Sequence, residues 1–339
     1  MSTLRILHLT GSAQDEFFCD LSRFYAKGCI AATADPTRYE FHIAYITPDR
    51  RWRFPASFST ADIAAATPMD LAAAIATLQA RHIDAALPQM FCLPGMTQYR
   101  SLLDLLGIPY VGNPAELMAL TAHKAQAKAI VAAAGVNVPA GEVLHPGQYP
   151  SLQPPVVIKP ESADNSTGVT LVRDQADYEA ALKTAFGHAD QVLVETYIAP
   201  GREVRCGILD VEGDLMALPL EEYPVNSANL PIRNYADKLQ RNDSGELTKS
   251  QPTSSLVAPD DPITATVHTA AKLCHRALNC RHYSLFDFRI DALGAPWFLE
   301  AGLYCSFSPS SVISTMARAA NVPLEKLLEI NLKAALSSR

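Results

Sequence analysis

Residues 155–172 read PVVIKPESADNSTGVTLV: an apolar run ending on Lys159, a loop of small and polar residues with Ser166, Thr167 and Gly168, and a second apolar run. Short apolar runs bounded by turn residues predict a β-hairpin. Such a loop can lay backbone N–H groups over phosphates while Lys159 neutralises them, although an ordinary hairpin with a solvated lysine has the same pattern. Residues 283–302, YSLFDFRIDALGAPWFLEAG, predict another hairpin, with Asp287 mid-strand and Glu300 ending the return strand after a turn containing Gly294. Two carboxylates at the same side of a hairpin suit Mg²⁺, a hard cation that takes oxygen ligands and keeps nucleotide phosphates as the rest of its shell. The alternative is that Asp287 pairs with Arg281 or Arg289.

Upstream, the runs at 4–9 and 40–46 predict strands flanking a helix over 15–32. A helix at 69–80, a strand at 83–87, a helix at 97–106 and a strand at 108–111 follow. Strand–helix–strand repetition predicts a parallel sheet with helices on its faces. After a helix over 121–134 the pattern changes. Strands at 156–159, 169–172, 192–198 and 204–209 cluster around a single helix, 174–186, for which Asp174 is the expected N-cap. The expected fold class is therefore α/β followed by α+β. Residues 224–262, rich in Asn, Ser, Asp and Pro, predict a long mobile loop, and the helices at 263–278, 309–320 and 324–336 complete the chain.

With 339 residues, 48% of them hydrophobic, the chain has material for more than one domain and is neither disordered nor fibrous. Its 28 Lys and Arg against 35 Asp and Glu leave a net charge of −7. No basic stripe offers itself to nucleic acid. The 7 cysteines are odd in number and lack CxxC spacing, so neither a disulfide scaffold nor a zinc ribbon is indicated. No signal peptide or membrane span is read, which predicts a soluble, cytoplasmic protein. GxGxxG is absent after the first strand, as is GxxxxGK[ST] anywhere, which disfavours a nicotinamide cofactor and excludes a P-loop.

Lys124 in TAHKAQAK, Lys159 in VVIKP, Glu195 in VLVETYI, GREV at 201–204 and FDFRID…FLEAG follow one another as in the ATP-grasp ligases. The chain most resembles the D-alanine–D-alanine ligase group, whose junction after the first domain LLGIPYVGNP at 105–114 matches. The resemblance implies an N-terminal α/β domain (1–114), a central lobe (115–200) and a C-terminal lobe (201–339), with ATP sandwiched between the lobes and 224–262 as a mobile loop. It further implies that Lys124 and Lys159 contact ATP phosphates, beneath a loop that includes Ser166, Thr167 and Gly168. Glu195 and Ile198 would lie beside adenine, Glu203 would accept ribose hydroxyls, Asp287 and Glu300 would hold Mg²⁺, and Lys238 would reach the terminal phosphate. The implied activity is ADP-forming carbon–nitrogen ligation through an acyl phosphate, on amino acids or a small peptide, with a homodimer as the assembly considered.

Several positions depart from the group. Gly302 stands where a metal-ligating Asn is expected and Leu285 where an oxyanion-stabilising Arg is expected, with Arg289 the nearest replacement. Leu239 replaces the loop tyrosine, and Met90-Phe91 replaces a His-Gly pair. These changes predict a larger or less polar substrate than alanine. Glu16 could meet a substrate ammonium or be an exposed helix carboxylate. Ser310 and Ser311 could bring a substrate carboxylate to the helix that follows, or simply cap it. An intramolecular cyclase and a nucleotide-binding regulator without turnover are the rival functions.

Overall fold

The structure is a computed structural model that describes residues 3–163, 167–199, 201–225 and 254–337, and the backbone of residues 239–241 and 247–249. The first sheet is built on Leu4–Gly11, which runs parallel to both Tyr39–Ile46 and Ala85–Pro88. The short strand Trp52–Arg53 closes its edge antiparallel. Ile6, Leu7 and Leu9 are fully buried, as a parallel strand covered on both faces must be. Helix Glu16–Thr33 starts where Asp15 accepts from the Phe18 N–H at 2.9 Å, and Leu71–Arg81 starts at Asp70 in the same manner.

The strand expected at 108–111 is reduced to one parallel bridge, Ala86 to Tyr110. The chain turns away at Gly112, whose φ of +101° favours glycine. The Gly112 N–H donates to His282 Nδ1 at 2.9 Å, and Asn113 donates to the Tyr283 carbonyl at 2.9 Å while accepting from the Arg281 N–H. The junction thus clips the first sheet to the start of strand Tyr283–Ile290. The helix expected at 121–134 is Lys124–Ala133, and a helix that the sequence did not predict, Ala115–Ala122, precedes it across the extended residue His123.

A second sheet, all antiparallel, has the order Gly141–Leu144, Val192–Thr196, Val156–Pro160, Thr170–Val172. Helix Tyr178–Phe186 packs on it through Tyr178, Leu182 and Ala185. Asp174 caps not that helix but the 3₁₀ turn Gln175–Asp177 before it, accepting from the Ala176 N–H.

The third sheet runs Ser255–Leu256, Glu221–Tyr223, Arg202–Val211, Tyr283–Ile290, Pro296–Ala301, with Asp214–Ala217 folded back on Arg202–Val211. On Tyr283–Ile290 the period of two sends Phe286, Phe288 and Ile290 into a core with Val267 and Cys274 of helix Pro262–Ala277 and Met118 and Val131 of the 115–133 helices. Those helices, assigned by the sequence reading to the central lobe, pack here; the division at 114 and 200 stays our proposal. Residues 224–262 are not wholly without regular structure: Ser255–Leu256 joins this sheet, and the backbones of Leu239–Arg241 and Leu247–Lys249 pair with each other.

A side chain at Gly201 has no room, because a Cβ there would lie 1.6 Å from the Ile290 carbonyl oxygen. Gly201→Ala must push apart the strands carrying Glu203 and Arg289. We expect a loss of about 1–3 kcal/mol of stability, the range for overpacking a filled position, measured by urea denaturation.

Candidate active site

Between the second and third sheets lies a cleft lined by Lys124, Lys159, Glu195, Ile198, Asp287 and Glu300. Thr167, Glu203 and Arg289 border the same cleft. Lys124 enters it from the first turn of its helix, its backbone N–H on the Glu161 carbonyl at 3.3 Å and its Nζ on the Ala163 carbonyl. Gly168, at φ +70°, turns the hairpin loop, and a Cβ there would meet His188 and Pro160 at 2.9 Å. Ser166 and Lys238 lie outside the described residues.

Glu195 is 2% exposed and is shared by two lysines, at 2.6 Å from Lys128 and 2.5 Å from Lys159. Burial lowers the Lys128 ammonium to about 8 despite the attraction of Glu195. Burial acts the other way on the Glu195 carboxyl, yet Lys128 and Lys159 together hold it below the ordinary carboxylate range. Lys128 also donates to the Phe298 carbonyl at 3.0 Å. The sequence reading passed over Lys128, although it stands four residues after Lys124 and so on the same helix face.

Across the third sheet the register is Glu203 opposite Arg289, Arg205 opposite Asp287 and Gly207 opposite Leu285. Arg289 bonds Glu203 at 3.0 Å and lies over the Tyr197 ring. It is therefore held toward the second sheet and away from position 285, against the expectation that it could stand in there. Asp287 pairs with neither Arg281 nor Arg289. Arg205 grips both its oxygens, Nε on Oδ1 and Nη2 on Oδ2 at 2.5 Å. Burial weakens the Arg205 charge, but Asp287 outweighs it and raises the guanidinium well above its usual value. Arg205 carries no motif of its own, though it shares a strand face with Glu203 two residues before it.

Glu221, Arg205, Asp287 and Glu300 form one row across neighbouring strands. One guanidinium among three carboxylates leaves this row net negative, and Asp287 keeps lone pairs beyond the arginine fork. Asp287 and Glu300 thus suit a hard cation whose remaining shell is phosphate, and no group of three or more His, Cys, Asp or Glu joins into a metal cluster among the described residues. Leu285 packs with Cys305, Phe307 and Met316. His275 and His282, near Cys274 and Cys280, use Nδ1 on Ser284 and on the Gly112 N–H.

The proposed substrate contacts are not in this cleft. Glu16 is exposed on the first turn of its helix, where its charge acts on Cys19 and Tyr45. The Ser311 hydroxyl is the N-cap of helix Val312–Ala319, and Ser310 neighbours Ser308 at 3.2 Å.

The family model "D-ala D-ala ligase C-terminus" matches residues 145–333. A D-alanine–D-alanine ligase of Maridesulfovibrio salexigens is 30% identical over 257 residues, 74% of this chain and 80% of its own. The chain belongs to the D-alanine–D-alanine ligase family. Another relative of that name, from Agrobacterium fabrum, is 32% identical over 64% of this chain and 69% of its own. The family fold extends over the whole chain. The VanG D-Ala:D-Ser ligase of Enterococcus faecalis superposes with a TM-score of 0.80 at 21% identity, covering 99% of this chain and all of its own. A D-alanine–D-alanine ligase of Bacillus anthracis complexed with ATP gives 0.72 at 22% identity, covering 99% and 98%. The fold is ATP-grasp, and the enzyme is an ATP-dependent, ADP-forming ligase of this family. No helix among the described residues is long and apolar enough to cross a membrane.

The shared glutamate sets two expectations for this ligase. Glu195→Gln leaves two buried ammonium groups without a counter-ion and should cost about 3–5 kcal/mol, whereas Lys128→Met leaves a neutral Lys159–Glu195 pair and should cost far less; equilibrium unfolding compares them. As pH rises through about 8, Lys128 loses its proton, Glu195 then draws on Lys159 alone, and the KM for ATP should rise. In Lys128→Met that pH dependence should be flat.

Proposed function

We propose that this ligase joins the carboxylate of one amino acid or small peptide to an amine, and that its substrates are other than two D-alanines. The observation that carries the ligation chemistry is the gathering of Lys124, Lys159, Asp287 and Glu300 in one cleft. On this reading Lys124 and Lys159 neutralise ATP phosphates, with Thr167 and Gly168, and by proposal Ser166, closing over them and Lys238 reaching the terminal phosphate. Ile198 and the backbone around Glu195 border adenine, and Glu203, oriented by Arg289, accepts the ribose hydroxyls.

Asp287 and Glu300 would hold Mg²⁺, which when bound neutralises the phosphate oxygens. The substrate carboxylate oxygen attacks the γ-phosphorus in line, and the bond to ADP breaks to leave an acyl phosphate. The amine nitrogen then attacks the acyl carbon; inorganic phosphate departs and the nitrogen gives up a proton. The chain contributes charge and position, and no covalent nucleophile is needed. The departure from alanine is supported by Leu285, which sits inside an apolar cluster and offers the oxyanion neither charge nor hydrogen bond, and by the bulk of Met90 and Phe91, both buried. The partners are small molecules met in the cytoplasm, and a homodimer is the assembly to check by sedimentation.

With a productive substrate we expect ADP and phosphate, and product mass separates a joined pair from a cyclised single substrate; AMP and pyrophosphate would overturn the acyl-phosphate route. Glu300→Gln should lower turnover by orders of magnitude with an unchanged melt. At Gly302 a Cβ would meet nothing nearer than 3.9 Å, so Gly302→Asn should fold normally. It should also lower the Mg²⁺ concentration that gives half-maximal rate.

A further inference from the structure

The two lysines of the cleft come from separately packed parts of the chain. Lys159 belongs to the second sheet, whereas the helix that starts at Lys124 packs through Ala127 and Val131 into the core of the third. Their spacing depends on what joins the start of that helix to the second sheet, and the joint is built around Glu161. This residue is 2% exposed. Its N–H donates to the Gln191 carbonyl at 3.0 Å, which carries the strand pairing one step beyond Pro160.

The three oxygens of Glu161 all face the start of the helix. The carbonyl accepts from the Lys124 N–H at 3.3 Å and lies 3.5 Å from its Nζ, Oε1 accepts from the Ala125 N–H at 3.0 Å, and Oε2 meets His123 Nδ1 at 2.7 Å. The first N–H groups of a helix lack partners within it, and a carboxylate beside them is favoured by the helix dipole. His123, the residue in the N-cap position, makes no side-chain cap bond. A strand end in one core thus caps a helix of another, at the turn that carries Lys124. Pro160 and Ala163 line the cleft on either side, while the Glu161 side chain turns to the helix instead.

We propose that Glu161 is a positioning residue for the nucleotide: by capping the helix at Ala125 it holds Lys124 at a fixed reach from Lys159, and so sets the affinity for ATP phosphates without touching them. This rests on the assignment of both lysines to ATP phosphates in the ligase reading above. A lysine is a compact charge on a flexible stem, and fixing the backbone at its base lowers the ordering cost when phosphate binds. Lys159 is held independently, by its strand and by Glu195, so loss of the cap displaces one lysine relative to the other. The His123 side chain is 43% exposed, and its pairing with Glu161 adds little.

The test is calorimetry of a non-hydrolysable ATP analogue with Mg²⁺, alongside a thermal melt of each variant of the full chain. Glu161→Ala and Lys124→Ala should each raise the Kd at least tenfold. Adding Glu161→Ala to Lys124→Ala should change the Kd less than twofold, because the glutamate acts through that lysine, while the melt still falls. Glu161→Gln keeps an oxygen for the Ala125 N–H and should bind within threefold of the parent chain, as should His123→Ala. If Glu161→Ala does not fold, Glu161→Asp, one methylene shorter, carries the same comparison. Losses that multiply in the double variant, or a Glu161→Ala chain that melts lower yet binds the analogue as the parent does, would leave Glu161 a purely structural residue and overturn the proposal while the ligase reading stands. An unchanged Kd in Lys124→Ala would withdraw that lysine from the phosphates, and this proposal with it. The expected pattern of Kd values without ADP release from any amino acid would support the positioning role and count against the substrates proposed above.

Discussion

The pairing register between strands Arg202–Val211 and Tyr283–Ile290 is the constraint from which the rest of this molecule follows. It sets Glu203 against Arg289 and Arg205 against Asp287, with the apolar pair Gly207 and Leu285 next in line. A slip of one residue would exchange the two faces of the sheet, burying these charges under helix Pro262–Ala277 and exposing Phe286 and Phe288. The hydrophobic demand of one face therefore fixes the electrostatics of the other. The clip at Gly112 and Asn113 to His282 and Tyr283 extends that order to the first sheet.

Charge is concentrated where water is largely excluded. Glu195 with its two lysines and Asp287 with Arg205 are both ion pairs in which burial works against the charged forms. Such pairs give little net stability, because desolvation cancels much of the attraction, but losing one partner is costly. Their value here is positional: each holds a group at the wall of a cleft suited to phosphates and a cation.

Much of this was legible in one dimension. The hairpins around Lys159 and between Asp287 and Glu300 show in short apolar runs with turn residues between them, and the parallel sheet shows in alternation of strand and helix. The strand expected at 108–111 failed because apolar content cannot report that Gly112 turns the chain toward His282. The helix expected at 121–134 is present as Lys124–Ala133, but its start at His123 and the helix before it were not legible, because the residues on both sides are good helix formers and only the contacts of Glu161 with His123 and Ala125 mark the break.

The sequence by itself determined which residue types are present in which order: the lysines, the carboxylates, the glycines of the turns and the family to which they point. Tertiary structure alone decided their partners. Asp287 is flanked in sequence by arginines at 281 and 289 but pairs with Arg205, 82 positions away, because cross-strand neighbours on one face are closer than residues along a strand. Glu195 likewise draws Lys128 from a helix that belongs to another core. Such partnerships depend on register and packing between segments distant in sequence, which no local pattern encodes.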